Sequence, residues 1–343
     1  MAHSFKSTQK SNVTMSEMSR SRKKQRAIFL TLLAMVAFPT SAEAQPPKGK
    51  GSANTSQNTK TNSKLSEKEK RAERARELYA DAANAQNNGA FELAVEMWTK
   101  MIKEFPEDAL APSAHHFLGI CHLQKDMPEF ELAIKEFKVA LQDPQLKQRE
   151  ESLVSLGWSL YQKSFQEGND ANSVALKEAS KVLALVIDKY PDGSFQDKAL
   201  FYAAEAESRI GNKEKAIGLY KQLAESKRFE SSAVRPDALF GLGLTFEEMQ
   251  QPQLAAEKYE SFLNKYPSHP IASSVRLRAA EVALQKEDAK LAISLLESVV
   301  QTKSFESLSN ADYILYRYGF ALAKAGNFKE SASIYKRLGE TFP

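Results

Sequence analysis

Between residues 237 and 267 the apolar positions form two helical stripes joined by a break. Leu242, Gly243 and Phe246 lie three and four residues apart, on one face of a helix. Gln251-Pro252 interrupts that stripe, and Ala255 and Tyr259 open a second one at a spacing of four. The second helix is predicted to stop before Tyr266-Pro267, because proline disfavours helix for the residue that precedes it. The pattern predicts a helical hairpin with a small residue at each close contact.

The same pattern recurs along the chain. The small residue of the second helix returns at Ala94, Ala133, Ala179, Ala216, Ala255, Ala292 and Ser331. Four residues after each stands a large side chain: Trp98, Phe137, Leu183, Tyr220, Tyr259, Leu296 and Tyr335. The matching first-helix positions are Ala82, Gly119, Gly157, Ala204, Gly243, Ala280 and Gly319, all glycine or alanine. Small residues are expected to let the helix backbones approach, and large ones to fill the gaps between neighbouring hairpins. A single hairpin cannot bury its apolar faces, so stability is expected from stacking. Two units depart from the frame. The second has two extra residues around Asp126-Met127-Pro128, and the third has ten around Glu167 to Asn172, expected to form a longer loop.

A longer period overlies the first. Phe105-Pro106, Tyr190-Pro191, Tyr266-Pro267 and Phe342-Pro343 close alternate units, the last three at intervals of 76 residues. The intervening units end instead at Lys227-Arg228-Phe229 and Lys303-Ser304-Phe305. The repeating block is therefore expected to be a pair of hairpins. The chain stops at Pro343 without the polar capping helix that solenoids need, which points to a fragment of a longer array or to a partner over that end.

Leu242-Gly243, Phe246, Ala255, Tyr259 and Pro267 together resemble the tetratricopeptide repeat. From about Ser66 to Pro343 the chain is similar to exported bacterial proteins of that kind, in particular the Tol–Pal accessory and outer-membrane assembly types. The resemblance implies an all-α fold: an α-solenoid of about seven hairpins, residues 67–343, wound into a right-handed superhelix. It also implies protein–protein interaction in the periplasm, with a peptide or protein held in the concave groove. Transferred from the family, the groove positions lie three before, one after and four after the small residue of the first helix. They bring forward Tyr79, His116, Phe201, Phe240 and Tyr316, then Trp158 and Phe320, then Tyr161. Aromatic side chains dominate, so the expected ligand is an apolar or aromatic-anchored peptide. The asparagine with which some members clamp a peptide carboxylate is missing from all seven units.

Charge and the amino terminus add a destination. Residues 1–44 carry seven Lys/Arg against two Asp/Glu, and residues 45–70 carry six against two. The chain's net +4 therefore leaves the remainder at −5, which gives no basic stripe for nucleic acid. Arg20 to Arg26 is a basic cluster, Ala27 to Phe38 is apolar except for Thr31, and Ala42-Glu43-Ala44 ends the segment. Those are the three parts of a secretory signal peptide, with cleavage expected after Ala44. The apolar run is too short to span a bilayer, so membrane association is expected only if the segment is not cleaved. Residues 45–66, rich in Lys, Gly, Asn, Ser and Thr, are expected to be a disordered linker. The product is expected in the periplasm or cell envelope.

Chemistry is thin. The one cysteine, Cys121, excludes an intramolecular disulfide and any Cys-based zinc site. His115 and His122 share a helical face but stand about two turns apart, roughly 10 Å, where a zinc pair prefers one turn. No phosphate loop, nucleophile elbow or His-Glu-x-x-His motif occurs. The chain is expected to be a scaffold rather than an enzyme, with no cofactor and no metal. One alternative is the helical part of a cell-wall-acting enzyme whose catalytic domain lies beyond residue 343. Another is self-association through the carboxy-terminal end.

Overall fold

The structure is a computed structural model that describes residues 66–166 and 173–342. The expected signal peptide and nearly all of the expected linker lie outside the described residues, as does the 167–172 insertion. Fourteen α-helices and no strand are found among the described residues. They are α1 (Glu67–Asn87), α2 (Phe91–Glu104), α3 (Ala111–Gln124), α4 (Phe130–Ala140), α5 (Arg149–Gln166), α6 (Val174–Lys189) and α7 (Gln196–Ile210). The remainder are α8 (Lys213–Glu225), α9 (Arg235–Glu248), α10 (Pro252–Lys265), α11 (Ala272–Gln285), α12 (Ala289–Val300), α13 (Ala311–Lys324) and α14 (Phe328–Thr341). Odd and even helices pair as seven hairpins, the all-α repeat architecture that the periodicity predicts. The chain divides into two compact units, Met1–Phe117 and Leu118–Pro343, with the division inside α3.

In the first unit Ser66 caps α1: its Oγ accepts from the Glu69 amide, and the Glu69 carboxylate accepts from the Ser66 amide at 2.7 Å. This reciprocal pair satisfies two amides that a helix start leaves open. Trp98 of α2 lies buried between Tyr79 and Phe117, with ring centroids 4.8 and 5.5 Å away. Its Nε1 donates to Gln86 Oε1 at 3.0 Å, so the one polar atom of the indole is paired.

In the second unit α6, α8, α10 and α12 each pack on the odd helix before and on the one after. The expectation that large residues fill gaps between hairpins needs correcting, because their first contact lies within their own hairpin. A Cβ on Gly243 would sit 2.4 Å from Tyr259 Cε1, one on Gly157 2.5 Å from Leu183 Cγ, and one on Gly119 2.8 Å from Phe137 Cε1. The small residue of the first helix is thus an aperture for the large residue of the second. Some large side chains then reach the next hairpin as well: a Cβ on Gly241 of α9 would sit 2.7 Å from Tyr220 Cζ of α8.

The connections follow two rules. In the five hairpins with the shortest turn, the residue five before the second small residue has positive φ: Gly89, Gly211, Gln250, Glu287 and Gly326. Gln250 and Glu287 adopt at φ 58° and 62° a conformation that costs a side-chain-bearing residue about 1–2 kcal/mol. Between hairpins, Phe105, Tyr190, Tyr266 and Phe342 share φ between −127° and −133°, because each precedes a proline that excludes helix there. The fourth and sixth hairpins end in short 3-10 turns, Lys227–Phe229 and Phe305–Ser307, which bury Phe229 and Phe305. The 76-residue block is therefore real as backbone geometry. The ten extra residues of the third hairpin are only partly loop. α5 runs nine residues past Gly157, where α3, α9, α11 and α13 run five past theirs, and α6 starts two residues earlier than its counterparts.

Replacing Gly243 by Ala is expected to lower stability by roughly 1–3 kcal/mol, because the added methyl overlaps the Tyr259 ring. Adding Tyr259→Leu to it, which reproduces the Ala280/Leu296 pair of the sixth hairpin, is expected to recover part of the loss in urea unfolding.

Candidate partner-binding face

First helices of successive hairpins in the second unit touch one another as well as their own partners: α5 meets α7, α7 meets α9, and α11 meets α13. Their facing residues form one continuous inner face, and it is more polar than the sequence suggested. Two tyrosines pass through the aperture of their hairpin to reach carboxylates on it. Tyr220 Oη donates to Glu205 of α7, and Tyr259 Oη donates to Glu247 of α9. Each carboxylate is also held from a neighbouring hairpin. Tyr161 Oη of α5 donates to Glu205 Oε2 at 3.1 Å, and Arg278 of α11 reaches Glu247 through Nε and Nη2 at 3.1 and 2.9 Å.

The network continues into the last two hairpins. Glu281 accepts from Arg278 Nη1 at 2.8 Å and from Tyr313 Oη at 2.6 Å, and Arg317 Nε stands 3.8 Å from its Oε1. Burial opposes the charge on Arg278, but Glu247 and then Glu281 overcome it and hold the guanidinium protonated. For Glu247, burial outweighs Arg278, and its carboxyl lies above the usual range. Asp237, in the first turn of α9, has no such cation. Burial, and then repulsion by Glu205, push its carboxyl up to about 7. Glu151 on α5 is also raised to about 7 by burial, with Lys198 of α7 acting in the opposite direction.

The residues expected to line the groove are mostly interior. Tyr79, His116, Trp158, Tyr161, Phe201 and Phe240 are all buried. Tyr316 is exposed and Phe320 is half-buried. The reason is register. A residue three before the small one shares its face, and that face looks at the second helix of the same hairpin. Accordingly Tyr79 meets Trp98, Phe201 meets Tyr220, Phe240 meets Tyr259, and Tyr316 meets Tyr335, with centroids 4.8, 6.4, 5.7 and 6.2 Å apart. Burial lowers His116 to about 3, so its imidazole is neutral and packs at 4.9 Å on Phe117. Trp158 packs on Phe130, and Tyr161 on Phe165 and Tyr202. His122 of the histidine cluster is engaged by Glu129 at 2.7 Å.

The charged residues that organise this face did not enter the sequence-based site. A signal for them exists, since Glu205 and Glu281 each follow the small residue directly and lie 76 residues apart.

With this geometry in view, the comparisons with known proteins are consistent. The tetratricopeptide-repeat family model matches residues 198–226, 237–269 and 313–343, which are the fourth, fifth and seventh hairpins. The chain carries tetratricopeptide repeats. Among solved structures it is similar to a tetratricopeptide repeat protein from Parabacteroides merdae, with TM-score 0.53 and 12% identity over 79% of this chain and 94% of that one. It is also similar to a signal transduction ATPase with numerous domains and a tetratricopeptide repeat sensor from Pyrococcus horikoshii. There the TM-score is 0.58 and the identity 14%, over 78% of this chain and 41% of that one. These likenesses bear on the fold. No curated protein matches the sequence.

The raised Asp237 gives a testable sign. A carboxyl whose folded value lies above its unfolded value of 3.8 contributes stability below that value and loses it as pH rises through about 7. Each pH interval of one between the two values is worth about 1.4 kcal/mol, so the loss is a few kcal/mol. In urea unfolding, Asp237→Asn is expected to gain stability relative to the wild type between pH 4 and pH 8. A difference that stays flat with pH would contradict the assignment.

Proposed function

We propose that the protein is an exported scaffold of the cell envelope, resembling Tol–Pal accessory and outer-membrane assembly proteins, that holds protein or peptide partners along its inner face. The observation that carries this reading is that face itself: first helices set side by side, with tyrosines, carboxylates and arginines alternating from hairpin to hairpin. Half-buried Leu244 and Phe320 stand at the same register on it, one position after the small residue, and offer apolar anchor points among charges. Export is supported by the basic cluster Arg20 to Arg26, the apolar run Ala27 to Phe38 and the small-residue ending at Ala44. Among the described residues no helix is long and apolar enough to cross a membrane. The protein acts by binding rather than by catalysis, and its partners are proteins or peptides rather than nucleic acid.

Expression of the full chain with a carboxy-terminal tag, followed by fractionation and amino-terminal sequencing, is expected to place it in the envelope with Gln45 first. Partners captured by it from envelope extract are expected to fall at least about tenfold with Leu244→Asp/Phe320→Asp, helical content being unchanged. Retention of all partners would remove the inner face from the account, and an intact Met1 would remove cleavage.

A further inference from the structure

Six residues before the small residue of the first helix, three successive hairpins carry charge: Glu151 on α5, Lys198 on α7 and Asp237 on α9. A spacing of seven puts these positions on the helical face of Trp158, Glu205 and Leu244, the residues that directly follow the small one. They therefore belong to the inner face. The cations around Asp237 are committed elsewhere. Burial lowers the Lys198 ammonium, and the attraction of Asp197 and Glu151 opposes that. Arg278 on α11 is held by Glu247 and Glu281.

Asp237 is left without a counter-charge. It is 4% exposed, and its carboxylate accepts from its own amide and from no other residue among those described. The charge that acts on it is the like charge of Glu205, which is itself buried and accepts from the neutral hydroxyls of Tyr161 and Tyr220. Burial keeps the nearby Tyr202 phenol protonated, and Asp237 and then Glu205 add to that, so Tyr202 stands beside both carboxylates and brings no cation. The start of α9 favours a carboxylate in its first turn, yet burial and Glu205 outweigh it. Two buried carboxylates on adjacent helices with no cation between them destabilise the free protein, a cost that a cation from outside would relieve. A metal ion is a poor match, because no group of three or more ligating His, Cys, Asp or Glu side chains occurs among the described residues. An organic cation needs no such ligand shell.

We infer that Asp237 and Glu205 form an acidic subsite of the inner face that receives the ammonium or guanidinium of a lysine or arginine in the partner. Half-buried Leu244 stands two turns further along the same face of α9, roughly 10 Å away. An extended peptide covers that distance in about three residues, so the partner carries its basic residue about three positions from an apolar one. The inference rests on the inner-face reading and gives its partner a charge. It also gives the uncompensated carboxylate of Asp237 a use, since a group that destabilises the free protein is kept where binding needs it.

A random dodecapeptide library displayed on phage and selected on the full chain tests the inference. Enriched peptides are expected to share a lysine or arginine about three positions from an apolar residue. A synthetic copy of the most enriched one is expected to bind Asp237→Asn at least about tenfold more weakly in fluorescence anisotropy, with circular dichroism checking that the helices remain. Changing its basic residue to methionine is expected to cost the same factor on the wild type and nothing further on Asp237→Asn. Enriched peptides without a basic residue that are lost on Leu244→Asp would overturn the subsite and leave the inner face standing. A basic preference that survives Asp237→Asn would also overturn the subsite. Peptides indifferent to Leu244→Asp, or no enrichment at all, would overturn the inner-face reading with it.

Discussion

A side chain as large as tyrosine can cross between two helices only where the facing residue is no larger than alanine. That constraint governs this molecule. Gly119, Gly157, Gly243 and Gly319 each leave an opening that the large residue of the second helix fills, with no space for a further methyl. Close approach of the backbones follows from it, and so does the interhelical packing of Phe201 on Tyr220 and Phe240 on Tyr259. The aperture has a second use. Tyr220 and Tyr259 are long enough to emerge on the far side, where their hydroxyls meet Glu205 and Glu247. An apolar packing rule inside each hairpin thereby becomes a polar linkage between hairpins, since those carboxylates are shared with Tyr161 and Arg278 of the neighbouring units.

Buried charge on the inner face would be costly without such sharing. Each carboxylate that keeps two or three donors offsets its desolvation, and the arrangement fixes the register of one hairpin on the next. Asp237 is the exception that shows the rule, because it faces Glu205 rather than a cation and its carboxyl moves up to about 7. The alternation of proline-closed and 3-10-closed hairpins runs in step with this polar layer: Glu205 and Glu281 occupy the same place in successive 76-residue blocks.

The architecture was legible in the sequence because its determinants are local and repeat. A small residue, a large residue four after its partner, and an aromatic-proline closure recur often enough to set the frame, even where Leu183 and Leu296 replace the aromatic. The binding face was much less legible. Tyr79, Phe201 and Phe240 look like groove anchors in a family register, but they share a helical face with the small residue and are therefore turned toward their own second helix. Nothing in a one-dimensional pattern distinguishes an aromatic that lines a groove from one that fills an aperture. Arg278 and Glu247 carry no signal of their own in the sequence, because only the stacking of hairpins brings residues 31 positions apart to within 2.9 Å. The insertion in the third hairpin resembles a loop in the sequence for a similar reason, since helix extension by one turn leaves no break in a short sequence.

The central claim is that neighbouring hairpins are coupled through side chains that pass the aperture, and it is tested most directly by a double-mutant cycle. Tyr259 and Arg278 belong to the fifth and sixth hairpins and both bond Glu247. Unfolding free energies of Tyr259→Phe, Arg278→Met and the double variant are expected to show a coupling of at least about 0.5 kcal/mol. Additivity within about 0.3 kcal/mol would mean that the hairpins stack by apolar contact alone and would contradict the account.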